Sequence, residues 1–401
     1  MRILHILHEF PVPPNSGIRC DMWRRLLAFR ELGHQVMALT WIPAGQSIAE
    51  HQLAEVEAAC DDLMLLKIGS DAGAKARRIW NLRRHPSYVA ARIPAGPDLR
   101  DVERRAAQFA PDLIWVEGIH PSWLGLHLRA RLGVPLAYRS HNVEHRYLPE
   151  QARLARSMRQ RLALRAGCLG LERAERTMMR DADHVFDISH EDAAFWRAQG
   201  AQRIDVLMPQ ADPAILATAA RPADARDIDL LYVGSLSSPN NIAGLQWYFD
   251  QVHPAVIAEI PDLAITVAGR APPPALRALC EGAGAMLIPD PADISDLIGR
   301  GRVMLNPILH GSGVNIKTID MLASGQPVVT TTKGGRGIAQ AVAAELSIAD
   351  DPAAFARLIV EKIREMRQGS GTADRRSLIE AEFGAAAVGR ALATMKEGAA
   401  Q

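Results

Sequence analysis

Residues 303–330 read VMLNPILHGSGVNIKTIDMLASGQPVVT. The apolar run Val303 to Asn306 predicts a strand, Asn315 to Ala323 a helix, and Pro327 to Thr330 a second strand. Strand, loop, helix, strand is the repeating unit of a parallel sheet. The loop carries Gly311-Ser312-Gly313 directly before the helix. Two glycines around a serine let backbone approach a ligand closely, and the helix start turns free amides toward the same place.

The same alternation extends in both directions. Leu230 to Val233, Ala264 to Ala268 and Met286 to Ile288 read as strands, with a helix over Asn241 to Ile257. Met1 to Leu7, Gln35 to Trp41, Leu63 to Ile68, Leu113 to Val116, Leu136 to Arg139, His184 to Ile188 and Ile204 to Leu207 form an earlier series. A helix over Asp21 to Leu32 and a long helical stretch from about Pro149 to Arg180 accompany them. Asp351 to Met366 and Arg375 to Met395 read as terminal helices. Pro209, Pro213 and Pro222 interrupt the pattern. The chain therefore divides into a first domain over 1–208, a linker over 209–229, a second domain over 230–380 and a closing helix over 381–401. The fold class is α/β, with two Rossmann-like doubly wound domains.

Composition narrows the function. The 401 residues are 48% hydrophobic and 23% charged, a globular balance sufficient for two domains. Lys and Arg number 46 against 45 acidic residues, so the net charge is +1 and no global field draws nucleic acid. Aromatic residues are 5%, too few for a base-stacking surface. Cys20, Cys60, Cys168 and Cys280 are widely spaced, which argues against a zinc ribbon or disulfide scaffold and for a reducing compartment. The start, broken by His5, His8 and Glu9, is not that of a signal peptide, and no window reaches a membrane span. A cytoplasmic protein is expected.

Ligands of doubly wound sheets bind in loops at the carboxyl ends of strands. Four such loops stand out. Beyond Gly311, Ser312, Gly313, Val314 and Asn315, Lys317 offers a positive charge to a phosphate, and Asp320, one turn on, suits paired ribose hydroxyls. Gly234 and Ser235 follow the strand at Val233, and Ser16 and Gly17 follow the first strand, with Arg19 and Arg24 nearby. His141 and Asn142, with Glu144 and His145, follow Leu136 to Arg139. Each loop also reads as an ordinary turn with solvated side chains. Asp61-Asp62 and Asp290 with Asp293 lack His or Cys partners, so no metal is expected.

Gly311 to Lys317 followed by Asp320 to Val329 resembles the C-terminal signature of family 4 glycosyltransferases. The Ser16-Gly17 loop, Gly33 to Val36, Ser140 to Glu144, Asp181 to Asp192 and Val267 to Arg270 agree with it in order. The likeness is strongest to enzymes of bacterial polysaccharide assembly. It implies the GT-B fold, with the active site in the cleft between two domains and the last helix crossing back to the first. The second domain would hold a nucleotide-diphosphate sugar and the first a glycan or lipid-linked acceptor. Retaining transfer without a metal or other cofactor is implied, with His141 approaching the donor sugar. Two departures stand against the pattern. The first Glu of the family's Glu-x7-Glu pair is Ser312 here, and the second is Asp320. The Arg and Lys common after the second domain's first strand are Ser235 and Asn240, leaving Lys317, Arg270 and helix amides to meet the diphosphate.

Two basic stretches remain. Lys75, Arg77, Arg78, Arg83 and Arg84 surround Ile79, Trp80 and Leu82. Arg153, Arg156, Arg159, Arg161 and Arg165 alternate with Leu154, Met158, Leu162 and Leu164. Each reads as a solvated face or as a surface for anionic membrane. A sugar-nucleotide 2-epimerase and a non-catalytic nucleotide-sugar-binding protein are the competing functions. Product formation without acceptor marks the first of these, and absence of any turnover the second.

Overall fold

The computed structural model of the chain describes residues 1–43, 45–69, 72–83, 85, 87, 93–155, 157–218, 225–310, 313–338, 340–369 and 376–399. Gly311, Ser312, Arg84, Arg156 and Pro222 lie outside these residues. The chain divides into two units, Met1–Met208 with Ala387–Gln401, and Pro209–Ala386.

Unit 1 is built on a seven-stranded parallel sheet. Its strands are β1 (Arg2–Ile6), β2 (Gln35–Pro43), β3 (Asp62–Ile68), β4 (Leu113–Glu117), β5 (Leu136–Ser140), β6 (His184–Asp187) and β7 (Ile204–Val206), in spatial order β3-β2-β1-β4-β5-β6-β7. Ile3 pairs in register with Val36 on one side and Leu113 on the other. The strands read as nearly continuous apolar runs because helices cover both faces of a parallel sheet. Leu4, Ile6, Met37, Leu39, Ile114, Val116 and Tyr138 lie in one buried cluster.

Unit 2 carries a six-stranded parallel sheet: β8 (Ile228–Val233), β9 (Ile265–Gly269), β10 (Met286–Pro289), β11 (Gly301–Asn306), β12 (Val328–Thr330) and β13 (Leu346–Ile348). The order is β10-β9-β8-β11-β12-β13. Its core joins Leu230, Tyr232, Val267, Val303 and Leu305 to Phe355, Ile359 and Ile363 of the helix Pro352–Arg367.

Several boundaries differ from the sequence reading. The long stretch after Pro149 is three helices, Glu144–Leu154, Met158–Gly167 and Leu171–Asp181. Ser157 starts the second by accepting from the amide of Gln160, and Gly170 stands at φ +67°, a left-handed conformation that interrupts the run. The closing helix is likewise two, Arg376–Phe383 and Ala385–Ala399, and the division of units falls at Ala386 rather than near residue 380. In unit 1, Val388, Leu392 and Met395 of the last helix are buried, and Gly389 packs beside Leu32. A short helix, Pro213–Ala217, occupies part of the stretch read as linker. Among the described residues no helix is long and apolar enough to cross a membrane.

Candidate functional site

Each sheet has one place where the chain changes direction across it: between β1 and β4 in unit 1, and between β8 and β11 in unit 2. At such a switch point the loops leave in opposite directions and open a crevice beyond the strand ends. The polar residues of interest gather at these two places.

In unit 1 the strand ends are tied to the helix Gly17–Glu31 by a buried ion network. Arg25 donates from Nε to Glu117 Oε1 at 2.9 Å and from Nη2 to Asp21 Oδ1 at 2.8 Å. Arg139 donates from Nε to Asp21 Oδ2 at 3.0 Å and also reaches the carbonyls of Asp187 and Leu207. Trp115 Nε1 donates to Glu117 Oε1 at 2.9 Å, and His5 Nε2 lies 3.1 Å from the same oxygen. His141 completes the network, with Nε2 2.9 Å from Glu117 Oε2 and 3.3 Å from Asp21 Oδ2. Asp21, Arg25, Glu117 and Arg139 are all fully enclosed.

Electrostatics fix the protonation states. Burial opposes the His141 cation, but hydrogen bonds to Asp21 and Glu117, together with their charge, push its pKa up to about 8. Burial would raise Glu117, yet Arg25 and the two histidines hold it far below the usual carboxylate range. Asp21 is likewise low, against burial, through Arg139 and Arg25. Burial draws His5 down, so it is neutral. Two carboxylates thus balance two guanidiniums, and the proton on His141 leaves one positive charge facing the strand ends.

Gly118 shapes that surface. At φ +73° it has no side chain, and a Cβ there would come 3.2 Å from His141 Nδ1 and 3.5 Å from His8 Nδ1. The His8 and His120 rings meet edge to face at 3.9 Å between centroids. With Nε2 held by carboxylates, His141 is a hydrogen-bond donor through Nδ1, beside Gly118. A protonated imidazole in this setting stabilises negative charge and is poorly suited to act as a base at neutral pH.

The acidic groups beyond β5 form a second cluster. Glu175 accepts from the backbone amides of Glu144 and His145 at 2.7 and 2.9 Å, and from His145 Nδ1 at 2.7 Å. It thereby caps the helix Glu144–Leu154. Asn142 donates from Nδ2 to Glu144 Oε1 at 3.2 Å. Burial and the nearby Glu175 outweigh that bond and push Glu144 up to about 7. Asp187, at the end of β6, also rises to about 7 through burial and the charge of Asp192.

The remaining expectations for unit 1 are modified. Ser16 and Gly17 are exposed, and Ser16 accepts from the Arg19 amide at 3.4 Å as the cap of the first helix. Arg19 is not a spare charge, because its Nη2 binds Glu9 Oε2 at 2.7 Å. Arg24 is buried. Asp21, Glu117 and His141 also converge closely enough to suggest a metal site. Arg25 and Arg139 already supply both carboxylates with positive charge, so this donor set does not fit a cation.

In unit 2, Gly234 ends β8 and lies against the end of β9. A Cβ on Gly269 would fall 1.7 Å from the Gly234 carbonyl oxygen, so these loops meet backbone to backbone. Leu236 donates to the Arg270 carbonyl at 2.9 Å, bringing Arg270 beside the turn with its side chain exposed. Ser235 shares a hydroxyl contact with Ser237 at 3.1 Å. Lys317, from the helix Ile316–Ala323, reaches the same turn: its Nζ donates to Tyr232 Oη and Asn241 Oδ1, both at 3.1 Å. Gly313 stands at φ +73°, and Val314 and Asn315 lead into the helix, whose cap position is Asn315. Thr318 donates to the Gly334 carbonyl at 2.6 Å and accepts from Asn306 Nδ2 at 2.9 Å, locking the helix to the loops after β11 and β12. Asp320 Oδ1 accepts from the Asp212 amide at 3.0 Å, so the carboxylate expected to meet ribose is engaged by backbone of its own unit.

The structure therefore groups Gly234, Ser235, Arg270 and Lys317 in unit 2, and His141, Asn142 and Glu144 in unit 1. Sequence reasoning missed Asp21, Arg25, Glu117, Arg139, Tyr232 and Asn241. A signal existed for two of them: Glu117 and Arg139 are charges at the ends of otherwise apolar strands, which signals a partner.

Residues 16–209 match the glycosyl transferase 4-like domain, and residues 227–365 match glycosyl transferases group 1. A Klebsiella pneumoniae protein described as an uncharacterized 44.6 kDa protein in the cps region is 34% identical over 145 residues. That match spans 34% of this chain and 37% of the relative, so only about a third of either is compared. Among solved structures, Anabaena HepE in complex with UDP is similar with a TM-score of 0.61 at 12% identity, covering 99% of this chain and 100% of that one. Sucrose-phosphate synthase from Thermosynechococcus elongatus is similar with a TM-score of 0.64 at 17% identity, covering 100% of both chains. WaaG, a glycosyltransferase involved in lipopolysaccharide biosynthesis, gives 0.54 at 15% identity over 94% of this chain and 97% of that one.

Proposed function

The chain belongs to the glycosyl transferase 4-like, group 1 family and has the GT-B fold, and we propose that it is a retaining glycosyltransferase moving a hexosyl group from a nucleotide-diphosphate sugar to a glycan or lipid-linked acceptor. One observation carries the reading: an ammonium group with neutral partners, Lys317, at the switch point of unit 2, beneath a glycine turn. That is a place for phosphate. The cps-region description of the Klebsiella relative and the UDP held by the Anabaena structure support a nucleotide-sugar enzyme of polysaccharide assembly.

In this mechanism unit 2 binds the donor and unit 1 the acceptor. Glycosyl transfer develops positive charge on the sugar and negative charge on the departing diphosphate. Lys317 and the amides from Gly313 into the helix neutralise the diphosphate. Asp320 is the carboxylate that takes a ribose hydroxyl. His141 donates from Nδ1 to the donor sugar, and Asn142 and Glu144 orient the acceptor. No side chain is assigned as base, because the leaving phosphate oxygen accepts the acceptor proton, and no metal or other cofactor is invoked.

The surface of unit 1 supports a membrane setting for the acceptor. Ile79 and Trp80 are each 62% exposed on the helix Ala72–Asn81, with the Arg83 guanidinium 3.9 Å above the Trp80 ring. Met158 and Leu162 are exposed on the helix Met158–Gly167 beside Arg159 and Arg165. Apolar side chains among arginines suit an anionic lipid surface, consistent with a cytoplasmic enzyme working peripherally on a lipid-linked acceptor.

A thermal-shift screen of nucleotide sugars, followed by turnover with the stabilising donor, tests the function. The expected product keeps the donor's anomeric configuration. His141→Ala should lower kcat by about 10²-fold or more, the scale of losing one transition-state donor. Normal turnover by a folded His141→Ala protein removes His141 from the chemistry, and an inverted product overturns the retaining assignment.

A further inference from the structure

The surroundings of Lys317 say more than that it is basic. Its Nζ touches two neutral groups, Tyr232 Oη on β8 and Asn241 Oδ1 in the helix Pro239–Trp247, and lies 4.5 Å from the centre of the Tyr232 ring. Asn241 is itself oriented, since its Nδ2 donates to the Ser235 carbonyl at 2.8 Å. The amide therefore has one end on the turn and the other on the ammonium. Gly234 closes the arrangement: a Cβ there would come 2.9 Å from Tyr232 Oη and 3.3 Å from Lys317 Cδ. Tyr232 is buried, and burial pushes its phenol far above the ordinary range, so it supplies no negative charge. Lys317 is half-buried as a residue, and loss of water around its Nζ, with no carboxylate or second cation acting on it among the described residues, draws it down to about 7. An ammonium in this setting is half of an ion pair.

We infer that Tyr232 and Asn241 are positioning residues that hold Lys317 under the Gly234 turn, and that the donor's diphosphate completes the ion pair, so that donor binding above neutral pH takes up a proton. The inference rests on the reading of unit 2 as a nucleotide-sugar site and deepens it. The chemical step is simple: the neutral amine accepts one proton from solvent as the diphosphate arrives, and no bond in the ligand breaks.

Titration calorimetry with UDP-, ADP-, GDP- and dTDP-glucose, each in two buffers of different ionisation enthalpy, counts the proton. The linking phosphates of a nucleotide sugar keep fixed charges from pH 6 to 9, so uptake reports on the protein. The expected uptake is about 0.9 proton at pH 8 and about 0.1 at pH 6, the neutral fractions of a group with a midpoint near 7. Lys317→Arg should still bind the sugar nucleotide but take up no proton, because guanidinium is charged throughout. Asn241→Asp supplies an internal counter-ion and should abolish uptake, with affinity at least tenfold weaker in a protein that still unfolds cooperatively. Tyr232→Phe should weaken binding and lower kcat/KM more at pH 8 than at pH 6. Binding by the wild type without uptake at pH 8, or uptake retained in Lys317→Arg, overturns the inference while the donor-site reading stands. Failure of all four nucleotide sugars to bind overturns both.

Discussion

Replacing Glu117 with Gln tests whether the buried network sets the charge of His141. Glu117 accepts from Arg25, Trp115 and His141 at 2.9 Å each and meets His5 at 3.1 Å. Glutamine keeps the shape but removes the charge, and an amide NH₂ facing Nε2 of His141 disfavours the imidazolium. Two guanidiniums then share one carboxylate, Asp21. Breaking a buried charge set in this way costs about 3–5 kcal/mol. The pH dependence is more specific. His141 has a folded pKa of about 8 against an ordinary 6.5, so its proton contributes stability that is fully present below about pH 6.5 and lost as pH rises through 8. At about 1.4 kcal/mol per pH unit this amounts to ~2 kcal/mol. Urea unfolding of the wild type at pH 6, 7 and 9 should show that decline, and NMR should show one imidazole titrating near 8. In Glu117→Gln the slope should flatten and the imidazole should titrate below 6.5. A Glu117→Gln protein that retains both the slope and the high midpoint would refute the argument.

Three further outcomes follow from other sites. Asp187 has a folded pKa raised to about 7, so its burial costs stability as pH climbs from about 4 to 7. Asp187→Asn should match the wild type at pH 4 and exceed it by ~2–4 kcal/mol at pH 8 in urea unfolding, and equal stability at both pH values would contradict the raised pKa. Asp320→Ala removes the acceptor of the Asp212 amide and should cost about 1–2 kcal/mol while weakening the donor, and unchanged donor affinity by calorimetry removes the ribose role. The protein should float with vesicles containing anionic phospholipid and not with neutral ones, and Arg159→Glu with Arg165→Glu should abolish this; equal flotation with both vesicle types ends the membrane reading.

The sheets were readable because each strand is a short apolar run between turn residues, as in Ile3 to Leu7 or Val303 to Asn306. The helix Ser122–Leu132 was not, since its apolar residues point all round and leave no face to detect. β13, three residues long, offered too little pattern. The glycine turn at 234 and the His141 loop could be found as strand ends. Their partners could not. Asp21 meets Arg139 across 118 positions of sequence, and Lys317 meets Tyr232 across 85. Such pairs are made by the order of strands in the sheet, which local spacing does not encode.

The last helix adds a constraint on how the protein is made. Val388, Leu392 and Met395 are buried in unit 1, yet they are synthesised only after the whole of unit 2. Unit 2 is a continuous segment and can close while the chain is still on the ribosome. Unit 1, though begun first, waits for this helix until unit 2 has been translated. A nascent chain stalled before Ala387 would therefore carry a finished second unit and an unfinished first one, with the apolar surface awaiting that helix open to chaperones.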